Sequence, residues 1–458
     1  RHPPTASAGA ASQAFASPPA DPSTPVYCYV ACSPTRNDYL EQVLLARVYD
    51  VAVESPLDPA PLLAARLGTP TPRVLLKRED AQPEVFSFKL RGAYNMMAQP
   101  QYAAALRAAG CVAASAGNHA QGVALAAERL GVEATIVMPE ATPRIKVEAV
   151  GRRRGVRVVL HGDNFDAAKK EALRVAEATG KVFVPPFDHP AVIAGQGTVG
   201  LEILRQCEEV DAVFVPVGGG GLIAGMAAVL KRLRPEVKVY GVESEEADAM
   251  ARSLAAGERV LLPSVGTFAD GTAVTEVGAE TFRLCKDLVD GVIVVSNDEI
   301  CAAIKDVFEE TRAILEPAGA LGVAGLKAFV ARGGALTGPL DVENKVAAME
   351  AVGADGADAA RRRADDSPPP PPTYIAVTSG ANTNFDRLRH VSERAEIGEG
   401  REGVFAVSIP ERPGSFKQLV EALSGAGPIT EFNYRYNGAD EAHVYVGVGI
   451  SSGRERAG

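Results

Sequence analysis

The 458-residue chain has no tryptophan, only six cysteines and six histidines, and no apolar run long enough to cross a bilayer. Cys28, Cys32, Cys111, Cys207, Cys285 and Cys301 show no paired CxxC spacing, which points to reduced structural thiols rather than a disulfide framework or a thiolate metal site. A surplus of positive charge is also missing. Lys and Arg number 47 against 57 Asp and Glu, a formal net charge of −10, which argues against nucleic acid or an anionic membrane as partner. Arg152–Arg154 and Arg361–Arg363 are the basic clusters, and each reads as a solvated face. What the chain has in quantity is hydrophobic residues, 47 % of the total, enough to fill the cores of two or three domains.

Residues 1–25 are Ala, Ser, Pro and Gly with Asp21 as the single acid, a composition that builds no core. The chain opens on Arg1 rather than Met, so 1–36 reads as a leader, a transit-peptide remnant that would place the protein in a plastid, with the cytoplasm as the other location. Tyr39, Leu40, Val43, Leu44, Val48 and Tyr49 recur at helical spacing, and 57–67 reads as a second helix leading into a strand over 74–77. Strands over 111–114, 134–138, 156–160 and 182–184 then alternate with helices over 118–130, 143–153 and 164–179. A second set follows, with strands over 212–217, 237–242 and 292–295 and a helix over 222–233. This predicts an α/β fold of two lobes with open parallel sheets, and a ligand crevice at the carboxyl ends of the strands.

One lysine stands out. In Val85-Phe86-Ser87-Phe88-Lys89-Leu90-Arg91-Gly92 it lies among aromatic and apolar neighbours where a helix begins. Burial disfavours an ammonium, so such an amine can lose its proton near neutral pH and attack a carbonyl. The alternative is a solvated lysine whose stem covers Phe86. Two loops sit at strand carboxyl ends. Ser115-Ala116-Gly117-Asn118-His119 opens a helix, so its amides suit a carboxylate, although an N-cap turn using Ser115 or Asn118 needs no ligand. His119 has no visible partner and reads as structural. Gly218-Gly219-Gly220-Gly221 before Leu222 lets several amides meet one phosphate, and it lacks the Lys-Ser/Thr of a nucleotide P-loop.

On glycines alone a dinucleotide site competes, because Gly219, Gly221 and Ala224 fit GxGxxA and Glu243 ends the next strand. An NAD-dependent oxidoreductase, however, gives no role to Lys89. Pyridoxal-phosphate chemistry asks for a lysine, a phosphate cradle and a group at the pyridine nitrogen, and Ser379 after the strand over 375–377 supplies the third.

The stretches Ser87–Ala93, Ser115–Gly122, Pro185–Pro190, Val217–Leu222, Glu316–Ala320 and Ser379–Asn382 together resemble the biosynthetic threonine dehydratases, fold-type II pyridoxal-phosphate enzymes built like the tryptophan synthase β chain. The resemblance implies that Lys89 holds the cofactor beside Phe88, that Gly218–Gly221 and Leu222 bind its phosphate, that Asn118 meets the ring hydroxyl and Ser379 the ring nitrogen. Ser115, Ala116, Gly117, Asn118 and His119 would take the substrate carboxylate, with no metal. Deamination of L-threonine, and more slowly L-serine, to a 2-oxo acid and ammonia follows, in a homo-oligomer, dimer or tetramer, regulated by isoleucine or valine. A serine racemase or serine dehydratase of the same fold type is the nearer alternative. The expected domains are a catalytic part over 37–335 and 373–395, a linker over 336–372 carrying Pro368–Pro372, and a partial ACT-like domain over 400–458 in β-α-β-β order. Such a domain stops short of its second helix and fourth strand, so weak or absent inhibition by isoleucine is expected.

Overall fold

The computed structural model describes residues 38–334, 370–425, 427–435 and 441–450. The expected leader, the expected linker as far as residue 369, Cys28 and Cys32 lie outside the described residues.

A four-stranded parallel sheet forms the first lobe, in the order β5-β4-β3-β6, from β3 (Cys111–Ala114), β4 (Ala134–Met138), β5 (Val156–Leu160) and β6 (Val182–Phe183). Successive side chains on a strand point to opposite faces, and the two faces have different partners. Cys111, Ala113, Ile136 and Met138 pack with Val123 and Ala127 of α5 (Asn118–Leu130) and with Met96 and Met97 of α3 (Lys89–Met97). Val112, Ala114 and Val137 pack on Ala168 and Ala172 of α7 (Phe165–Thr179). Covered on both sides, β3 and β4 are buried along their whole length, and apolar except for Thr135, as central parallel strands are.

The second lobe is a six-stranded sheet in the order β1-β2-β10-β7-β8-β9, from β1 (Leu57–Pro59), β2 (Arg73–Arg78), β7 (Ala212–Pro216), β8 (Lys238–Ser244), β9 (Gly291–Val295) and β10 (Thr373–Thr378). All its pairings are parallel except β1 with β2. Val213 and Val215 face α8 (Pro190–Gln206) and α9 (Gly221–Leu233), while Phe214 and Ile293 face α12 (Asn297–Thr311) and α13 (Pro317–Ala331).

Two expected helices are shorter than their periodicity. The stretch 57–67 begins as strand β1, and α2 covers only Pro61–Arg66. Pro56, Pro59 and Pro61 lack an N–H and disfavour helix in the residue before each of them, which leaves an extended edge strand. The first helix, α1 (Asp38–Leu44), stops before Val48, which is buried from a turn instead.

A fully buried ionic cluster joins β2, α3 and α8. Lys77 Nζ lies 2.7 Å from Glu202, and Arg91 bonds Glu202 at 2.6 Å and Glu79 at 2.8 Å. Burial would raise the Glu202 pKa, but Arg91 and Lys77 together hold it below the usual range. Arg91 lies two residues after Lys89, so the cluster fixes the helix that carries that amine.

Beyond β10, α14 (Leu388–Gly398) lies against α12, with Arg394 paired to Asp298 at 2.5 Å and Lys305 to Glu396 at 2.6 Å. Then β11 (Glu402–Pro410), α15 (Ser415–Leu423), β12 (Ile429–Arg435) and β13 (Glu441–Gly449) give the expected β-α-β-β order, as an antiparallel sheet with β13 in the centre. Val444, Val446 and Val448 pack with Ile409 and Leu419, while Phe405 and Tyr445 stay exposed.

Removing one member of a buried charge cluster strands the others without compensation. Glu202→Gln is expected to lose about 3–5 kcal/mol of stability in chemical denaturation; a loss below about 1 kcal/mol would show that the cluster does not anchor α3.

Candidate active site

The loops at the carboxyl ends of β2, β3, β7 and β10 line one cleft between the lobes, as strand polarity requires. Lys89 opens α3 inside it. Its Nζ donates to the Pro186 carbonyl at 2.9 Å and lies 5.3 Å from the centre of the Phe88 ring. The amine is reachable from the cleft yet enclosed by protein. That enclosure lowers its pKa to about 8, an effect that the nearby Glu316 carboxyl opposes. The aromatic partner is therefore Phe88 and not Phe86, which is exposed. Phe86 adopts a left-handed backbone with φ of 52°, a conformation costly for a bulky residue. Its carbonyl accepts the Ala381 N–H at 2.9 Å, and the Phe88 N–H reaches the Ser379 carbonyl at 3.3 Å, so the segment before Lys89 is strapped to the turn carrying Ser379.

Gly218–Gly221 bridge β7 and α9 with every position closed from behind. A Cβ on Gly218 would meet Thr272 at 2.9 Å, one on Gly219 would meet the Phe187 ring at 2.3 Å, and Gly220 has φ of +92°. Only glycine fits a loop this tightly backed, and its amides with those of the first turn of α9 are left to an anion. Ser379 is buried and makes one long contact, 3.4 Å from Oγ to the Ala318 carbonyl, which leaves its hydroxyl able to serve another group.

The loop after β3 behaves differently for its two polar side chains. The Asn118 amide faces the cleft, donating to Glu316 and accepting from Asn382 at 2.7 Å. The His119 imidazole is buried in the other direction, 2.9 Å from the Val184 carbonyl, and burial lowers its pKa to about 3. What His119 and its neighbours Ser115, Ala116 and Gly117 offer a carboxylate is the amino end of α5. Neither Ser115 nor Asn118 caps that helix: its N-cap is Gly117, which has no side chain to accept the helix amides, and whose own N–H donates to the Ser115 hydroxyl at 3.2 Å.

Glu243 is not free to bind a ribose. It is fully buried and accepts the N–H groups of Met250 at 2.9 Å and Ala251 at 2.8 Å, at the start of α10 (Ala249–Ala256). Several lining residues had no role assigned from sequence, among them Glu316, Gln196, Phe187 and Thr272. The Glu316-Pro317 pair does signal a helix start, since proline is favoured at the first helical position, but that signal is silent on where the carboxyl points.

A family model described as pyridoxal-phosphate dependent enzyme matches residues 49–338, and one described as the C-terminal regulatory domain of threonine dehydratase matches 393–458. The fold and cleft are those of a pyridoxal-phosphate enzyme of fold type II. L-threonine dehydratase biosynthetic IlvA of Burkholderia multivorans is 53 % identical over 92 % of this chain and 76 % of its own length. The chloroplastic biosynthetic threonine dehydratase of Arabidopsis thaliana is 52 % identical over 91 % of this chain and 64 % of its own. Among solved structures, the processed form of threonine deaminase isoform 2 from Solanum lycopersicum is 46 % identical, with a TM-score of 0.67 over 79 % of this chain and 88 % of that one. The chain belongs to the biosynthetic threonine dehydratase family.

The cleft fits the cofactor of that family. It holds an amine that burial readies for deprotonation, a backed glycine loop at a helix amino end, and a hydroxyl with bonding capacity to spare.

Glu316 gives the site a pH signature. Burial raises its pKa to about 7, and the hydrogen bond from Asn118 restrains the rise. Between its unfolded value of 4.5 and about 7 the folded state binds the extra proton, so this group makes stability fall as pH increases through that window. In cofactor-stripped protein, Glu316→Gln is expected to remove that part of the slope, up to about 3 kcal/mol between pH 5 and pH 7. Curves that run parallel for the two proteins would show that Glu316 does not hold a proton there.

Proposed function

We propose that this chain converts L-threonine to 2-oxobutanoate and ammonia, and L-serine more slowly to its own 2-oxo acid, using pyridoxal phosphate bound in the cleft. The observation that carries the reading is the convergence on one cleft of the Lys89 amine, the Gly218–Gly221 loop and the Ser379 hydroxyl. Lys89 would tether the cofactor beside Phe88. The amides of Gly218, Gly219, Gly220, Gly221 and Leu222 would hold its phosphate, Asn118 its ring hydroxyl and Ser379 its ring nitrogen. When bound, the cofactor supplies an electron sink for the charge left on Cα.

The protein's own contribution is to orient the substrate and to move protons. Amides of the 115–119 loop and the positive end of α5 hold the substrate carboxylate. Lys89, its pKa lowered to about 8 by burial, would take the Cα proton. The β-hydroxyl would leave as water on taking up a proton, and the enamine formed would tautomerise to an imine that water hydrolyses to the 2-oxo acid and ammonia. Serine differs by one methyl, worth about 1–3 kcal/mol in an apolar pocket.

The catalytic part is assigned to 37–335 with 373–395, and the regulatory part to 400–458. Isoleucine or valine suits the hollow of Ile409, Arg412, Ser415, Phe416 and Tyr434. Arg412 and the amino end of α15 favour a carboxylate there, the buried Ser415 hydroxyl has no partner, and Ile409, Pro410 and Phe416 supply apolar wall beside Glu411, whose carboxylate accepts the Tyr434 hydroxyl. A homo-oligomer, dimer or tetramer, would cover the exposed Leu44, Leu45, Tyr49 and Val53. The Ser/Ala-rich, acid-poor stretch 1–25 favours plastid import, with the cytoplasm as the other location.

Lys89→Ala is expected to abolish 2-oxobutanoate formation while leaving the fold intact, and Lys89→Arg to fail as well because a guanidinium stays protonated. Near-normal turnover by either variant at saturating cofactor would sink the assignment. A neutral hydroxyl at the ring nitrogen favours elimination over transamination, so Ser379→Asp should lose cofactor or most of its rate. An unchanged rate would take Ser379 out of the site. Calorimetry with isoleucine should show affinity falling about tenfold in Arg412→Ala, the effect of one lost charged hydrogen bond; equal affinities would remove the hollow as the effector site.

A further inference from the structure

The segment Pro186-Phe187-Asp188-His189 has no part in the chemistry above, yet it contacts the Lys89 amine and the glycine loop and ties both to α11. The Pro186 carbonyl accepts the Lys89 amine at 2.9 Å. Phe187 lies behind the glycine loop, so close that a Cβ on Gly219 would come within 2.3 Å of its ring and one on Gly221 within 3.0 Å of its Cβ. Asp188 caps α11 (Ala279–Leu288), its carboxylate accepting the N–H groups of Ala279 at 2.9 Å, Glu280 at 3.0 Å and Thr281 at 3.3 Å. Gly278 is glycine for the same reason, since a Cβ there would sit 2.4 Å from Asp188 Oδ1.

The capped helix turns back on the glycine loop. The buried Thr281 hydroxyl donates to the Gly219 carbonyl at 2.6 Å, and the Gly278 N–H reaches the same oxygen at 3.3 Å. A Cβ on Gly220 would lie 2.9 Å from Thr281 Cβ. His189 anchors the far end of the segment. Its Nδ1 accepts the Ala191 N–H at 3.1 Å and its Nε2 lies 3.0 Å from the Tyr102 hydroxyl. Burial lowers its pKa to about 4, so the ring is neutral and the proton sits on Nε2, facing Tyr102.

We propose that Pro186–His189 and the first turn of α11 form one brace that fixes the glycine-loop amides relative to the Lys89 amine, with Asp188 and Thr281 as its positioning residues. Turning the Gly219 carbonyl towards Thr281 points the adjoining amides into the cleft, and Asp188 holds Thr281 at the distance that makes this bond. The brace acts on the phosphate end of the cofactor and leaves the aldehyde end to Lys89. It therefore rests on the reading of Gly218–Gly221 as the phosphate cradle.

The test separates the two ends of the ligand. Pyridoxal phosphate and pyridoxal, which lacks the phosphate, are titrated into the cofactor-stripped full chain, with adduct formation at Lys89 followed by absorbance and mass. The wild type is expected to prefer the phosphorylated aldehyde. Thr281→Val and Asp188→Asn are each expected to cut that preference about tenfold, the effect of one lost buried hydrogen bond, with pyridoxal affinity changed by less than about twofold. Thr281→Ser, which keeps the hydroxyl, should restore the preference, and inorganic phosphate should compete less well in the Val and Asn variants than in the wild type. Retention of the wild-type preference by both variants overturns the brace, as does equal loss of affinity for both aldehydes, which marks a general structural defect. A wild type that shows no preference overturns the cradle assignment itself, and the brace with it.

Discussion

An amine enclosed by protein remains reactive only if no carboxylate neutralises its need to shed a proton. Two lysines of this chain show the alternatives. Lys77 is fully buried and bonded directly to Glu202, which opposes the fall in its pKa that burial causes. Lys89 meets only a backbone carbonyl, that of Pro186, while the nearest acid, Glu316, is engaged with Asn118. Most of the cleft serves that difference. The ionic cluster around Arg91 fixes the helix, the straps from 86 and 88 to 379 and 381 fix the segment before it, and the glycine loop lines the cleft opposite without placing a carboxylate beside the amine.

Much of this was legible in the chain, and for local reasons. The buried strands are short apolar runs between helical periods, so most strands of both sheets were legible, though not β1, which read as helix, nor the place of β10 between β2 and β7. Lys89, the glycine loop and Ser379 lie at element boundaries that composition marks, and the fold brings all three to one cleft. What escaped depends on partners distant in sequence. Glu316 meets Asn118 across 198 positions, and no local pattern announces where its carboxyl points. Glu243 ends its strand in the right place for a ribose, but its carboxylate is consumed by two amides of α10. His119 sits in a ligand loop with its ring turned to Val184. At 57–67 the apolar spacing suggested helix, and the missing N–H groups of three prolines decided otherwise.

The strand that leads into Ser379 has a consequence in time. β10 lies between β2 and β7, pairing Thr373 with Arg73 on one side and Tyr374 with Ala212 on the other. Both neighbours leave the ribosome long before it does. At about 5–20 residues per second, the wait between β2 and β10 is roughly 15–60 s. For roughly the last half of that interval, once β7 has also emerged, the larger sheet has two facing edges with unpaired backbone groups, the kind of surface that recruits strands from other chains. The nascent protein thus has Lys89 and the glycine loop early and Ser379 late, and the inserting strand that closes the sheet is also the one that completes the cleft.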